Sequence, residues 1–490
     1  MISQALADAR TYEEEKGNQI PKEQRPLFHL TPFVGWMNDP NGFSVYNGMY
    51  HLFYQYYPFE KKWGPMHWGH AVSKDLLHWD YLPAVMAPDI TEDTSGCFSG
   101  GAVELEDGKH LLIYTGVGPM KDGIAVQTQC LAISENGRDY VKYAGNPVID
   151  HTSLPDGGNG YDFRDPKIWK EADGSYTCVT VEKKTDGNGR VVRFSSPDGY
   201  RWSCLGVLAE NDGTFGKMWE CPDFFPLDGT YVLMASPMDM EKNDRYYSGN
   251  GNLCLTGDFD EASGTFIPHT DQPVDCGIDF YATQSICTED GRRIMLAWMQ
   301  NWDTITFTGE SLDWMGQITV PRELHISDGV LIQTPIRELE TLRHDPVHYE
   351  QVLSGDMTLP GIQGRTIDLL IELRPDETDL KTFEIRFAED GKHYTSLKYR
   401  PDEKTLTFDR SSSGTTRNLA HIRSCHTEPV KGVLSLRILL DRFSCEVFIN
   451  GGRQVMSHVL YTETAAEGIS FHVNGCVLAE ITKYDLSSQD

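Results

Sequence analysis

The chain has 490 residues, 39% of them hydrophobic and 11% aromatic, which is enough apolar content to fill the cores of two or three domains. Its formal net charge of −29 argues against nucleic-acid or anionic-membrane partners, whose phosphates it would repel. No run of 18 apolar residues occurs, so no membrane-spanning helix is expected.

Residues 1–26 read as a polar N-terminal segment containing a short helix. The stretch from Met1 to Arg10 has no basic start followed by an apolar core, and it runs on into Glu13-Glu14-Glu15-Lys16, so it does not read as an export signal. Eleven cysteines, odd in number and without a C-x-x-C pair, point to reduced thiols in a cytoplasm.

From residue 27 to 340 one unit repeats five times. Asn47-Gly48, Asp107-Gly108, Asp173-Gly174, Asp228-Gly229 and Asp290-Gly291 are each followed by an apolar, strand-like run. Asn-Gly and Asp-Gly are strong hairpin signals, because both central residues of the favoured turn take positive φ. The glycines are spaced by 60, 66, 55 and 62 residues, about one propeller blade with its loops. A second echo places an aromatic six residues after a serine: Ser73 and Trp79, Ser134 and Tyr140, Ser196 and Trp202. An all-β chain with a five-bladed β-propeller over 27–340 is therefore expected. Pro335 to Leu342 has helical spacing, and 341–355 reads as a linker. Residues 356–490 alternate with period two in short runs such as Phe383-Glu384-Ile385-Arg386-Phe387, which predicts a β-sandwich.

Nine residues before each repeated glycine stand Asp39, Ser99, Asp165, Glu220 and Ala282. Five copies around an axis would bring three carboxylates and a serine to one spot, with each innermost strand starting there. Two carboxylates on opposite sides of a glycosidic bond are what glycoside hydrolysis requires, and a third can hold substrate hydroxyls. Local setting separates the roles. Asp39, in Trp36-Met37-Asn38-Asp39-Pro40-Asn41-Gly42, sits in a polar turn whose amides would keep it ionised as a nucleophile. Asp165 stands beside Arg164, whose charge suits a permanently ionised stabiliser. Glu220 lies between Trp219 and Cys221-Pro222, where desolvation would raise its pKa toward that of a general acid.

These segments also resemble a known family. W-M-N-D-P-N-G at 36–42, F-R-D-P at 163–166 and W-E-C-P-D at 219–223 are similar to the three motifs of the β-fructosidases, glycoside hydrolase family 32. The resemblance extends over nearly the whole chain and implies a five-bladed propeller followed by a β-sandwich. It implies Asp39 as nucleophile, Asp165 as transition-state stabiliser and Glu220 as acid/base. It also implies sugar contacts at Asn38, Gln55, Trp63, Phe98, Ser99, Arg164 and Asp223. Gly101 departs from the family pattern, in which serine is frequent.

Other residues carry competing readings. Trp36, Trp63, Trp68, Trp302 and Trp314 are sugar-stacking or core residues, with Trp63 and Trp302 the better wall candidates because their surroundings are polar. Asp279 and Tyr281 precede the fifth inner strand and either face the channel or close the ring. His67-x-x-His70 is half a metal site with nothing to complete it, so no metal and no cofactor is expected. Cys221 follows an acid, not a base, which favours packing over catalysis. The expected reaction is hydrolysis of sucrose and short fructo-oligosaccharides with retention of configuration, in the cytoplasm, with a saccharide as the small-molecule partner. Sucrose 6-phosphate, longer fructans, transfer in place of hydrolysis, and a silent sugar-binding propeller are the alternatives; Lys61 and Lys62 are the nearest phosphate candidates. The sequence does not choose between a monomer and a homodimer.

Overall fold

A computed structural model describes residues 2–121, 124–305, 312–375, 378–415 and 420–487. The repeat becomes five antiparallel sheets arranged in chain order. Their innermost strands are Gly35–Tyr46, Gly96–Glu104, Gly158–Lys170, Trp219–Leu227 and Tyr281–Cys287. Each begins before or at the predicted ring residue, so the chemistry-bearing side chains stand inside strands.

The five turns solve the hairpin problem in two ways. Asn47-Gly48 and Asp228-Gly229 place both residues at positive φ. At the other three turns only the glycine does, and a wider turn forms, as where Gly174 N–H donates to the Glu171 carbonyl at 3.0 Å. The serine echo is a polar clasp. Ser73, Ser134 and Ser196 donate to Asp75, Asn136 and Asp198, whose side-chain oxygens then cap the following backbone amides.

Apolar residues between neighbouring sheets hold the ring. Phe53, Trp68, Leu112 and Tyr114 fill the space between blades one and two. Ile113, Phe163 and Cys178 lie between two and three, Val181 and Trp219 between three and four, and Phe225 and Met295 between four and five. Each large side chain removed from water in this way contributes on the order of 1.5–3 kcal/mol. Closure comes from Trp314–Met315, which pairs in parallel with Gly35 and Trp36 of the first inner strand.

The N-terminal helix, Gln4–Gly17, is capped by the Ser3 hydroxyl and rests on the first blade. Its Glu13 accepts the Ala84 amide at 2.8 Å, and burial pushes that carboxyl up to about 7.

The C-terminal domain is one continuous ten-stranded sheet folded into a sandwich around Leu369, Phe383, Ile438 and Phe471. Its last strand, Gly468–Leu486, bends at Gly475 (φ 85°) and so serves both halves. It pairs with Thr382–Glu389 before the bend and Ile367–Arg374 after it. Arg343–Met357 runs along its other edge. The segment 341–355, expected as a linker, is therefore mostly strand. Its many polar residues mask the alternation: Val347, Tyr349, Leu353 and Met357 turn onto the sandwich core while most of the others face solvent. The helical spacing before it gives a short 3₁₀ turn, Arg337–Leu342.

Propeller and sandwich meet across buried charges. Arg322 joins Asp275 (3.0 Å) and Glu446 (2.6 Å), and His29 sits between Asp441 (2.8 Å) and Glu446 (2.9 Å). Asp279 accepts from Arg410 at 2.6 Å and from the Val459 amide at 2.8 Å. Asp279 thus ties the fifth blade to the sandwich and does not face the channel.

Candidate active site

All five inner strands break register at the same level. The breaks fall between Met37 and Pro40, Phe98 and Gly100, Arg164 and Lys167, Glu220 and Asp223, and Tyr281 and Gln284. A bulge adds a residue to one strand and re-aims its side chain. The bulges carry local strain: Asp165, Cys221 and Ala282 adopt φ of 60°, 50° and 55°, a region that non-glycine residues visit rarely and that marks functional positions. Close packing of the strands depends on small residues here. A Cβ on Gly100 would lie 2.0 Å from the Ile113 carbonyl oxygen.

The bulges open on a cleft of about 280 Å³. Asn38, Asp39, Gln55, Trp63, Phe98, Ser99, Arg164, Asp165, Glu220 and Trp302 line it, all of them expected from the sequence. Asp39 accepts from Ser99 Oγ at 2.7 Å and from Asn38 Nδ2 at 3.0 Å, and Trp36 Nε1 fixes Asn38 from behind at 2.8 Å. Asp165 accepts the Cys221 amide at 2.9 Å, while its own amide donates to Thr115 Oγ1 at 3.0 Å. The Cys221 thiol lies 3.5 Å from Asp39 Oδ2 and 3.8 Å from Asp165 Oδ2, so one sulfur touches two carboxylates. Burial and the surrounding acids push that thiol well up, which suits a packed neutral thiol and not a nucleophile.

The electrostatics differ from the sequence expectation. Burial, and then the charge of Glu220, raise the Asp39 carboxyl; the Ser99, Asn38 and Cys221 contacts pull the other way. Among the described residues these are the groups that donate to Asp39, and no backbone amide joins them, since the expected polar turn is strand. Asp165 rises to about 7, because burial and the charges of Glu220 and Asp39 outweigh Arg164. Arg164 turns its Nε to Glu220 Oε1 (3.0 Å) and its Nη1 to Asp162 (3.0 Å). The Glu220 side chain is 18% exposed, and its neighbour Trp219 packs into the blade core. Tyr281 OH donates to Glu220 Oε2 at 2.6 Å.

Two expected contacts stand elsewhere. Tyr281 is fully buried and reaches the cleft only through Glu220. Asp223 points to the opposite end of the channel, accepting the Ser285 amide at 2.6 Å. Three residues after Glu220, beyond a bulge, the strand faces the other way.

Among the tryptophans, Trp63 is 47% exposed and stands against Phe98, and Trp302 stacks on Trp36 at 6.2 Å. Trp36, Trp68 and Trp314 are core residues. His67 and His70, three apart on a strand, face opposite sides. One contacts the Pro65 carbonyl and the other contacts His51, so they form no joint site.

Met238 and Asn250 complete the cleft and were not foreseen. Asn250 comes from the loop between strands Thr230–Pro237 and Leu253–Asp260 of the fourth blade, and Asp303 fixes it through its backbone and side-chain nitrogens. Its Oδ1 is buried without a partner. The Gly- and Asn-rich stretch 249–252 was the available sign.

Comparison with known proteins agrees with this architecture. The pattern of the Glycosyl hydrolases family 32 N-terminal domain matches residues 29–335, and that of the family 32 C terminal matches 338–487. The chain is 36% identical to a raffinose invertase of Escherichia coli, over 96% of each chain. It is 35% identical to a sucrose-6-phosphate hydrolase of Zymomonas mobilis, over 96% of this chain and 94% of that protein. A Bombyx mori GH32 β-fructofuranosidase mutant in complex with sucrose superposes with a TM-score of 0.86 at 33% identity, over 99% of both chains. With both domain patterns in order and full-length relatives above 30% identity, the chain belongs to glycosyl hydrolases family 32.

Proposed function

We propose that the protein is a retaining β-fructofuranosidase that releases terminal non-reducing β-D-fructofuranosyl residues from sucrose and short fructo-oligosaccharides. The observation that carries this reading is the meeting of three carboxylates from three blades in one cleft, each aimed by its own bulge and each within reach of the others' charge.

Asp39, oriented by Ser99 and Asn38, attacks C2 of the fructosyl unit. Glu220, on the fourth blade, protonates the departing oxygen and later activates the water that frees fructose. Asp165 holds ring hydroxyls while positive charge builds on the sugar. The raised Asp39 and Asp165 carboxyls support a cluster that keeps a proton near neutral pH. In such a coupled group the proton belongs to the set and not to one residue. Arg164 and Tyr281 grip one oxygen each of Glu220 and fix the angle at which the proton leaves. Trp63 and Trp302 offer faces for the sugar rings.

Unphosphorylated substrate is favoured. Arg164 is the one cation among the described residues lining the cleft, and it is engaged by Glu220 and Asp162. Lys62 pairs with Glu60 at 2.7 Å, and Lys61 Nζ donates to the Leu312 carbonyl. The names of several relatives keep sucrose 6-phosphate as the second reading. The eleven unpaired cysteines support a cytoplasmic location. The test is kcat/KM on sucrose, sucrose 6-phosphate, 1-kestose, raffinose and levan. Sucrose and kestose are expected to lead, and a preference of tenfold or more for the phosphorylated sugar would overturn the substrate choice.

A further inference from the structure

The inner strands that bear the carboxylates near their starts run on to a second cavity at their far ends. It measures about 600 Å³, and every blade contributes to it: Ser44, Glu104, Lys167, Asp223 and Ser285 come from blades one to five in turn. None of these residues lines the catalytic cleft.

Four cations line it, Lys167, Lys170, Arg193 and Arg293, in a chain of net charge −29. Arg193 lies over the Phe259 ring at 4.9 Å and Arg293 over Phe225 at 4.3 Å. Neither guanidinium has an ion pair among the described residues, and Arg193 Nε is buried without a hydrogen-bond partner. Lys167 donates to the Ser285 carbonyl at 2.6 Å and lies 3.8 Å from Asp223 Oδ1. Burial lowers the pKa of Arg193, Arg293 and Lys167, while the charge of Glu171 acts the other way on Arg193 and that of Asp223 on Arg293 and Lys167. Glu171 accepts from Trp169 and Thr177, Lys170 pairs outward with Glu106, and Glu104 and Glu261 stand exposed.

Hydroxyl-binding groups accompany the cations. Asp223 Oδ1 and Ser285 Oγ, on residues 1% exposed, have no hydrogen-bond partner. Native interiors rarely leave such atoms unmatched.

We propose that this far cavity is a second ligand site, and that it takes a phosphorylated sugar or sugar alcohol. The stacked guanidiniums form a planar fork for the phosphate, while Asp223 and Ser285 receive hydroxyls. The site is coupled to the catalytic cleft through the strands themselves. Lys167 stands two residues beyond Asp165 and Asp223 three beyond Glu220, so a ligand that moves either one pulls on a catalytic bulge. Such a ligand alters kcat without competing with the substrate.

The test is calorimetric titration of the full chain with glucose 6-phosphate, inorganic phosphate and glucose, with saturating fructose present to occupy the cleft. Glucose 6-phosphate is expected to bind saturably, at least tenfold more tightly than either fragment. The R193A/R293A double variant is expected to lose at least tenfold in affinity while hydrolysing sucrose normally when no phosphate is added. Arg293→Gln alone provides the same contrast if the double variant does not fold. Absence of saturable binding, equal binding by wild type and variant, equal affinity for phosphate and its sugar ester, or displacement by fructose would each overturn the proposal. Basal sucrose hydrolysis is measured separately, so failure of this inference and failure of the β-fructofuranosidase reading are distinguishable.

Discussion

Replacing Glu220 by Gln isolates proton donation from positioning. The amide keeps the shape of the carboxylate: its oxygen can take the place of Oε1 opposite Arg164 Nε, and its NH₂ can donate to the Tyr281 oxygen. The fold should survive, because Glu220 makes these two contacts at a cleft and not in a core. What is lost is a proton at the glycosidic oxygen, worth about 10²–10⁴ in rate, or roughly 3–5 kcal/mol of barrier at 1.36 kcal/mol per tenfold. The assay is kcat/KM, which reports fructosylation of Asp39, on sucrose and on p-nitrophenyl β-D-fructofuranoside. Sucrose should lose the full factor. The nitrophenyl glycoside of the same sugar should lose less than about tenfold, because its leaving group departs without a proton. Added azide should then restore turnover and give the β-fructosyl azide, since an anionic acceptor needs no base. Equal losses on the two substrates would mean that Glu220 acts by shape or charge alone. An unchanged rate on sucrose would remove it from the mechanism.

Freshly released fructose should appear as the β anomer in rapid NMR, and initial α-fructose would exclude Asp39 as nucleophile. Tyr281→Phe removes the 2.6 Å bond to Glu220 and should cost about 10–100-fold in kcat/KM with little change in melting temperature, as expected for a hydrogen bond to a charged group. His29, held at about 9 by Asp441 and Glu446 against its burial, should stabilise the fold fully below pH 6.5 and lose that contribution as pH rises through 9. A melting curve that His29→Gln leaves equally steep on the alkaline side would refute this. Gly100→Ala, whose Cβ would meet the Ile113 carbonyl oxygen at 2.0 Å, should destabilise by about 1–3 kcal/mol or more in denaturant titration.

The five-fold repeat is legible in the amino-acid sequence because hairpin turns depend on local chemistry. An Asn-Gly or Asp-Gly pair followed by an apolar run favours a hairpin turn, and the recurrence of that unit sets five blades, their order and the level at which Asp39, Ser99, Asp165, Glu220 and Ala282 lie. Alternation marked the sandwich for the same reason, and it was faint at Arg343–Met357, a polar edge strand that turns Val347, Tyr349, Leu353 and Met357 onto the core. Side-chain direction and electrostatic balance were not local. The family resemblance implied Asp223 as a cleft residue, yet the Cys221-Pro222 bulge turns the strand and sends it to the opposite mouth. Arg164 is the chain neighbour of Asp165, but its guanidinium reaches across a blade to Glu220, leaving burial to raise Asp165. Asp279 met its partner Arg410 only when the sandwich docked. Turn chemistry and strand period act over a few residues and are written in order along the chain. Desolvation, charge pairing and the aim of a bulged side chain depend on which distant strands arrive beside it, and only tertiary packing decides that.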